Sequence, residues 1–349
     1  MVIEFLLLII LAWDGYFFLK YLLSLTKAPK TSALRPKVSL LMPAHNEEKT
    51  IGEAIRAALN LDYPDFEIIV IDDGSSDKTY DVALTFKDPR LKVVRIPHSG
   101  KARALNEGLK LSSGEIIATT DADGVLEGKA LKGLVERFYA DDVVAVGGQV
   151  RVQPRSFLEV VQDIEHLRIA MFRRAHELEN LSVAPGPIAA FRRKALEAIG
   201  GFVNDPVEDY ATTVALKGFG KVVYSPKAKC WVRMPTTLAN LWRQRKRWFL
   251  GDLPKLGGGP LKEKVFLGIS DIVAFFDVLF PVLAIFAGKF ELLAVFLLFE
   301  VLTMATVVAV EGGYLVEVLA FPFVLWFLAL FYLTLHVYGY LHLLFRKKQ

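Results

Sequence analysis

One cysteine, Cys230, stands in 349 residues. It excludes an intrachain disulfide and any cysteine-based metal site, and it reads as a small buried residue. The charge balance is equally restrictive. A formal net charge of +4, from 42 basic and 38 acidic side chains, is too small to argue for nucleic acid, and no basic patch interleaved with aromatics is present. Basic clusters lie next to apolar ones instead, as at the flanks of membrane helices. Internal repeats and low-complexity tracts are also missing. What the chain has is apolarity: 53% hydrophobic residues beside an ordinary 23% charged, with a mean hydropathy of +0.36. Polar and membrane-like segments must therefore be mixed.

Residues 3 to 25 form an apolar stretch long enough for a bilayer, which needs roughly 20 residues. No basic region precedes it and no small-residue cleavage site follows, so an anchor is expected. Lys20, Lys27, Lys30, Arg35 and Lys37 follow the apolar run, whereas only Glu4 precedes it. That bias predicts an outside N-terminus and a cytoplasmic side from residue 30 onward, in a multi-pass protein of the cell membrane. Asp14 and Lys20 are costly in lipid and are predicted to face other helices. Blocks 265–288, 290–310 and 314–345 are each long enough to cross, which predicts three C-terminal crossings. Two alternatives are an interfacial 265–280 and a last block divided at Pro322.

Between these segments, strands alternate with amphipathic helices. Strands are predicted at Val38–Met42, Glu67–Ile71, Leu91–Ile96, Glu115–Thr119 and Gly147–Gln153. Helices are predicted at Glu48–Leu59, Ser76–Phe86, Lys101–Leu111, residues 156–180 and Tyr210–Leu216. Such alternation indicates βαβ units, an α/β fold and a mostly parallel sheet. Three of the strands end in polar clusters, Pro43-Ala-His-Asn-Glu47, Asp72-Asp-Gly-Ser75 and Asp121-Ala-Asp123. Open α/β sheets bind ligands at that edge. Asp121-x-Asp123 suits a hard divalent cation that keeps positions open for phosphate oxygens, although Asp and Gly124 are also ordinary turn residues.

Seven ordered motifs over residues 36 to 250 now resemble one family. Pro43-Ala-His-Asn-Glu47-Glu48, Asp72-Asp-Gly-Ser-Ser-Asp77, Lys101-Ala-Arg-Ala-Leu-Asn106 and Asp121-Ala-Asp123 resemble the nucleotide-sugar half of a family 2 inverting glycosyltransferase with a GT-A-type, Rossmann-like domain. Gly186-Pro-Ile-Ala-Ala-Phe-Arg192-Arg193 resembles its acceptor-side segment, Glu208-Asp209 its acidic pair, and Gln244-Arg-Lys-Arg247-Trp248 its QxxRW signature. The domain organisation implied is an anchor at 1–28, a cytoplasmic GT-A domain at 36–235, an interface helix at 236–260 and membrane helices at 265–345.

The resemblance also implies roles. Pro43, Ala44, Glu47 and Asp73 would line the nucleotide pocket, with Asp73 bonding the nucleobase. Asp123 would hold Mg²⁺ or Mn²⁺, with Asp121 nearer the ribose. Asp209 would be the general base and Glu208 its partner, although its position before a helix equally suits Asp209 to capping. Lys101, Gln244 and Arg247 would meet the diphosphate, while Gly186, Pro187 and Trp248 would meet the acceptor. Gln244, Arg247 and Trp248 share a helix face by their spacing; Arg243, Arg245 and Lys246 are expected at lipid headgroups. The activity implied is transfer of a hexose or N-acetylhexosamine from a UDP-sugar to a growing glycan with a β-linkage. Transfer to a polyprenyl phosphate or other lipid is the alternative. His45 departs from the aromatic Tyr frequent in the family, and the short helical bundle would need a homo-oligomer to build a polymer channel.

Overall fold

The structure is a computed structural model that describes residues 1–176, 183–258 and 261–346. These fall into two compact units: an α/β unit of Ala28–Gln153 and His176–Arg233, and a helical unit of Met1–Lys27, Pro154–Ala175 and Met234–Gln349.

The α/β unit is built on one sheet of eight strands: β1 (Val38–Ala44), β2 (Phe66–Asp73), β3 (Leu91–Ile96), β4 (Ile116–Thr119), β5 (Val125–Leu126), β6 (Val143–Val152), β7 (Ala189–Arg192) and β8 (Lys221–Val232). Their order is β3-β2-β1-β4-β7-β6-β8-β5. All seven residues of β1 are buried, which is why the strand reads as a continuous apolar run rather than an alternation. β1 pairs in parallel with β2 and β4, and β2 with β3. Registers such as Ala44 opposite Asp72 and Leu41 opposite Thr119 bring the carboxyl ends of β1, β2 and β4 to one rim.

β7 reverses the direction, pairing antiparallel with both β4 and β6. Thr119 lies opposite Ala189, so the loop entering β7 arrives at the same rim. Helices α2 (Ile51–Leu59), α3 (Thr79–Leu84), α4 (Lys101–Leu111), α5 (Ala130–Val135), α7 (Arg193–Ala198) and α8 (Glu208–Leu216) complete the unit. Leu41, Ile69, Ile71, Ile117 and Leu105 share one core. Each such side chain contributes about 1.5–3 kcal/mol by leaving water.

The helical unit contains α1 (Val2–Leu25), α6 (Phe157–Ala175), α9 (Leu238–Gly258), α10 (Leu261–Phe286), α11 (Phe290–Glu311) and α12 (Leu315–Arg346). Among the described residues, three stretches are long and apolar enough to cross a membrane: α1, α11 and Leu315–Gly339 of α12. Most of block 265–288 lies in α10, of which Phe275–Phe286 is a shorter apolar stretch among the described residues, and Pro322 lies inside α12 without dividing it. The helix expected at 236–260 is α9, which runs to Gly258, while residues 259 and 260 lie outside the described residues.

The helix expected at 156–180 ends at Ala175, and 177–180 lie outside the described residues. Its face of Val160, Val161, Ile164 and Leu167 joins Leu6, Ile10, Phe296 and Phe321 in the core of the helical unit. Asp14 meets the expectation of facing other helices. It lines a cavity of about 500 Å³ with Arg168, Asp277 and Glu300.

Candidate active site

Four separated stretches of the α/β unit supply the charged centre. The Lys101 ammonium at the start of α4 lies 2.6 Å from Asp121 Oδ1 and 2.8 Å from Glu208 Oε1. Burial works against its charge, but the carboxylates of Asp121, Glu208 and Asp209 outweigh burial and hold the ammonium above the usual lysine range. A lysine read alone would be a solvated surface residue. This one is held between two acidic groups.

Gly186 completes that centre. Its backbone N–H donates to Asp209 Oδ2 at 3.0 Å, and a Cβ built on it would stand 2.8 Å from Lys101 Nζ, 3.5 Å from Glu208 Oε1 and 3.7 Å from Asp209 Oδ2. A side chain at this position would make the Lys101 ammonium shift. Asp209 is not a helix cap: α8 begins at Glu208, with Val207 in the cap position. Asp209 Oδ1 accepts the Tyr210 N–H at 2.8 Å, and Thr213 Oγ1 donates to the Asp209 carbonyl at 2.7 Å. Both carboxylate oxygens keep further lone pairs for a ligand donor. The Glu208 carboxyl is raised, by burial first and by Asp209 as well, against the opposing Lys101 charge.

Asp121 and Asp123 leave β4 in a turn closed by the Gly124 N–H on the Asp121 carbonyl at 3.0 Å. The Asp123 carboxyl is pushed up to about 7, mainly by burial, then by Asp121 and Glu47. Uncompensated negative charge of this kind is what a divalent cation relieves, and an all-oxygen donor set suits Mg²⁺ or Mn²⁺. Asp121 and Asp123 therefore fit the expected cation. Cys230 is fully buried beneath this turn, its Sγ 2.9 Å from where a Gly124 Cβ would stand. Burial pushes its thiol well up, as do the two aspartates, so it is inert packing.

Asp73, at the end of β2, is held from several sides. Its Oδ1 accepts the Ser99 N–H at 2.7 Å and its Oδ2 the Gly100 N–H at 2.9 Å. His98 Nδ1 lies 3.0 Å from the Asp73 carbonyl oxygen and 3.0 Å from Oδ2. His45 Nδ1 lies 2.8 Å from the same carbonyl. The loop 98–100 escaped the sequence reading, although Gly100 directly before a helix and at φ +93° was its signal. Asp77, not Asp73, serves the next helix, accepting the Thr79 N–H at 2.9 Å. Pro43 and Ala44 end β1 beside Ile71 and Asp72. Glu47 Oε2 accepts from Thr50 Oγ1 at 2.6 Å.

Gln244, Arg247 and Trp248 belong to α9 in the helical unit. The faces differ from expectation. Arg245, expected at headgroups, is 2% exposed and pairs with Glu165 at 2.6 Å, while Arg247 is exposed. The Arg245 guanidinium also lies over the Trp248 ring at 4.3 Å and donates to Gln244 Oε1. The physical reason is Glu165: a buried carboxylate on α6 demands a buried cation.

Residues 39–200 match the family model described as glycosyl transferase family 2. A poly-beta-1,6-N-acetyl-D-glucosamine synthase of Staphylococcus epidermidis is 35% identical over 222 residues, 61% of this chain and 54% of that protein. A probable glycosyltransferase, YdaM, of Bacillus subtilis is 34% identical over 232 residues, covering 62% of this chain and 55% of its own length. The chain thus spans about half the length of these relatives. Among solved structures, a Pyrobaculum calidifontis mannosyltransferase in complex with GDP-Man and Mn²⁺ superimposes with a TM-score of 0.62 at 24% identity, covering 97% of this chain and 96% of the other. At that identity the likeness establishes the fold.

Proposed function

We propose that this chain, whose residues 39–200 match the glycosyl transferase family 2 model, is a membrane-bound inverting enzyme. It moves a hexose or N-acetylhexosamine from a nucleotide sugar to a growing glycan, forming a β-linkage. The observation that carries this reading is the joining of Asp121, Lys101, Glu208 and Asp209 around Gly186. The expected donor is a UDP-sugar, a reading supported by relatives named as N-acetylglucosamine polymer synthases. The three apolar helices support membrane association, and a cytoplasmic α/β unit follows from the basic residues after the first.

In the proposed reaction, an acceptor hydroxyl oxygen bonds to the anomeric carbon while that carbon's bond to the diphosphate oxygen breaks. Asp209 receives the hydroxyl proton. Its aim is fixed by the Gly186 and Tyr210 N–H groups. Asp73, Pro43 and Ala44 line the nucleobase pocket, and Lys101 stands between the donor and acceptor carboxylates. Asp123, with Asp121 and Glu47 nearby, would hold Mg²⁺ or Mn²⁺, which when bound neutralises charge on the leaving diphosphate. Pro187, beside Gly186, is assigned to the acceptor.

The test is turnover of labelled UDP- and GDP-sugars by the detergent-purified chain with Mn²⁺, beside Asp209→Asn. A growing ladder of glycan, reduced about 10²–10⁴-fold in the variant, supports the reading. A single-addition product that partitions into organic solvent replaces it with a lipid acceptor, and no turnover of any donor refutes it.

A further inference from the structure

His45, Asp73 and His98 place three ligand atoms within 4.8 Å of one another. The two imidazoles stack with centroids 4.2 Å apart, and both Nδ1 atoms face the Asp73 carbonyl. Two neutral imidazoles and a carboxylate are a donor set for zinc and its neighbours in the transition series, whereas the all-oxygen Asp121 and Asp123 suit harder cations. We propose that His45, Asp73 and His98 form a second metal site, selective for Zn²⁺-like ions, whose occupation excludes the nucleotide. The exclusion rests on the nucleobase role proposed for Asp73; the metal site itself does not.

The surroundings are preformed. Asn46 is the one non-glycine residue with positive φ, +56°, among the described residues. Its backbone N–H donates to Ser75 Oγ at 2.9 Å, and its Oδ1 accepts the Ser76 N–H at 2.8 Å. Those bonds fix the β1 loop and turn His45 toward Asp73. On the other side, Gly74 allows the chain to pass against His98, for a Cβ there would stand 2.5 Å from the His98 nitrogen. The Asp73 carboxylate is already oriented by Ser99 and Gly100.

A protonated Nδ1 cannot bind a metal, so the tautomer must change. In the present arrangement His45 Nδ1–H donates to the Asp73 carbonyl, and Nε2 accepts from the Asn46 amide at 3.1 Å. Moving the proton of each ring from Nδ1 to Nε2 frees both Nδ1 atoms; His45 is exposed, so its Nε2–H turns to solvent while Asn46 Oδ1 stays on Ser76. No net proton is lost. Tetrahedral ligands at about 2.0–2.1 Å from zinc stand roughly 3.4 Å apart, so the set must close slightly. The His98 side chain is 60% exposed, so solvent can take up the contacts it gives up in closing.

The experiment measures Zn²⁺ binding calorimetrically, and Co²⁺ binding by visible absorption, on the full purified chain without nucleotide. His45→Ala, His98→Ala and Asp123→Asn are compared with the wild type. Losing a direct ligand should cost more than the roughly 10–100-fold typical of losing an outer partner, so each histidine variant should lose at least that. Asp123→Asn should keep the site. Equal Zn²⁺ affinity in the wild type and both histidine variants, or loss confined to Asp123→Asn, overturns the proposal. A second measurement titrates UDP and GDP into the Zn²⁺-loaded protein. Weakened nucleotide binding, relieved in His98→Ala, supports the exclusion. Histidine-dependent Zn²⁺ binding that leaves nucleotide affinity unchanged removes the exclusion and the nucleobase role of Asp73 together, while leaving the metal site standing.

Discussion

The Gly186 backbone N–H donates to Asp209 Oδ2, and a methyl group on the same glycine would stand 2.8 Å from Lys101 Nζ. One residue therefore both aims the acid and shapes the space around it. Gly186→Ala should displace Lys101 or the loop by a few tenths of an ångström or more. The expected result is a loss of about 10²-fold in kcat, the scale of an ångström-sized misplacement, with the thermal midpoint little changed. Steady-state kinetics beside a melting curve checks this, and an unaltered kcat would refute it.

Asp123 gives a pH dependence with a definite sign. Its carboxyl sits at about 7 in the fold against an ordinary value of 3.8. The folded form thus holds a proton that the unfolded form has lost, and stability contributed by that proton disappears as pH rises from about 4 to about 7. In chelator, the wild type should lose more of its melting temperature over that window than Asp123→Asn, which cannot ionise. Mn²⁺ added at about pH 8 should restore the wild type alone. Parallel curves for the two proteins would contradict the assignment.

Lys101→Gln removes the cation shared by Asp121 and Glu208. The two acidic groups then face each other with less compensation, so the melting temperature should fall along with activity by at least about 10-fold. A second change, Glu208→Gln, should recover part of the melting temperature and none of the activity. Full additivity of the two changes would show that the charges are not coupled.

In the helical unit, Arg245 and Glu165 form a buried pair at 2.6 Å. Glu165→Gln should cost about 3–5 kcal/mol by leaving the guanidinium uncompensated. Replacing both residues, as Glu165→Leu with Arg245→Met, should cost less than that single change. Thermal or denaturant unfolding in detergent measures the difference, and an equal or larger loss in the double variant would count against a coupled pair.

The parallel half of the sheet was legible because buried parallel strands are continuous apolar runs. Leu91–Ile96 and Lys101–Leu111 were placed at their observed ends, and β1, β2 and β4 within a few residues. Strands β5, β7 and β8 were not placed. β7 has four residues behind a Pro-Gly-Pro loop, β5 has two, and β8 carries lysines and a proline within its twelve. Their partners lie far away in sequence, so no local pattern announces them. The acidic site residues were readable from strand ends and resemblance, but Lys101's two carboxylate partners come from positions 20 and 107 residues onward. Likewise, Arg245 looked like one more cation in a basic run until Glu165, 80 residues earlier, claimed it.

β7 runs against β4, and so delivers the loop before it where its parallel neighbours deliver the loops after them. Residues assigned to the donor thus come from 43 to 123, and those assigned to the acceptor within this unit from 186 to 209, two blocks of chain that share a rim without interleaving. Selection can act on them separately. On the proposed assignments, a lineage can exchange the later block and alter the acceptor while keeping the donor, and Lys101, reaching from the first block to Glu208 in the second, marks where such an exchange must remain compatible.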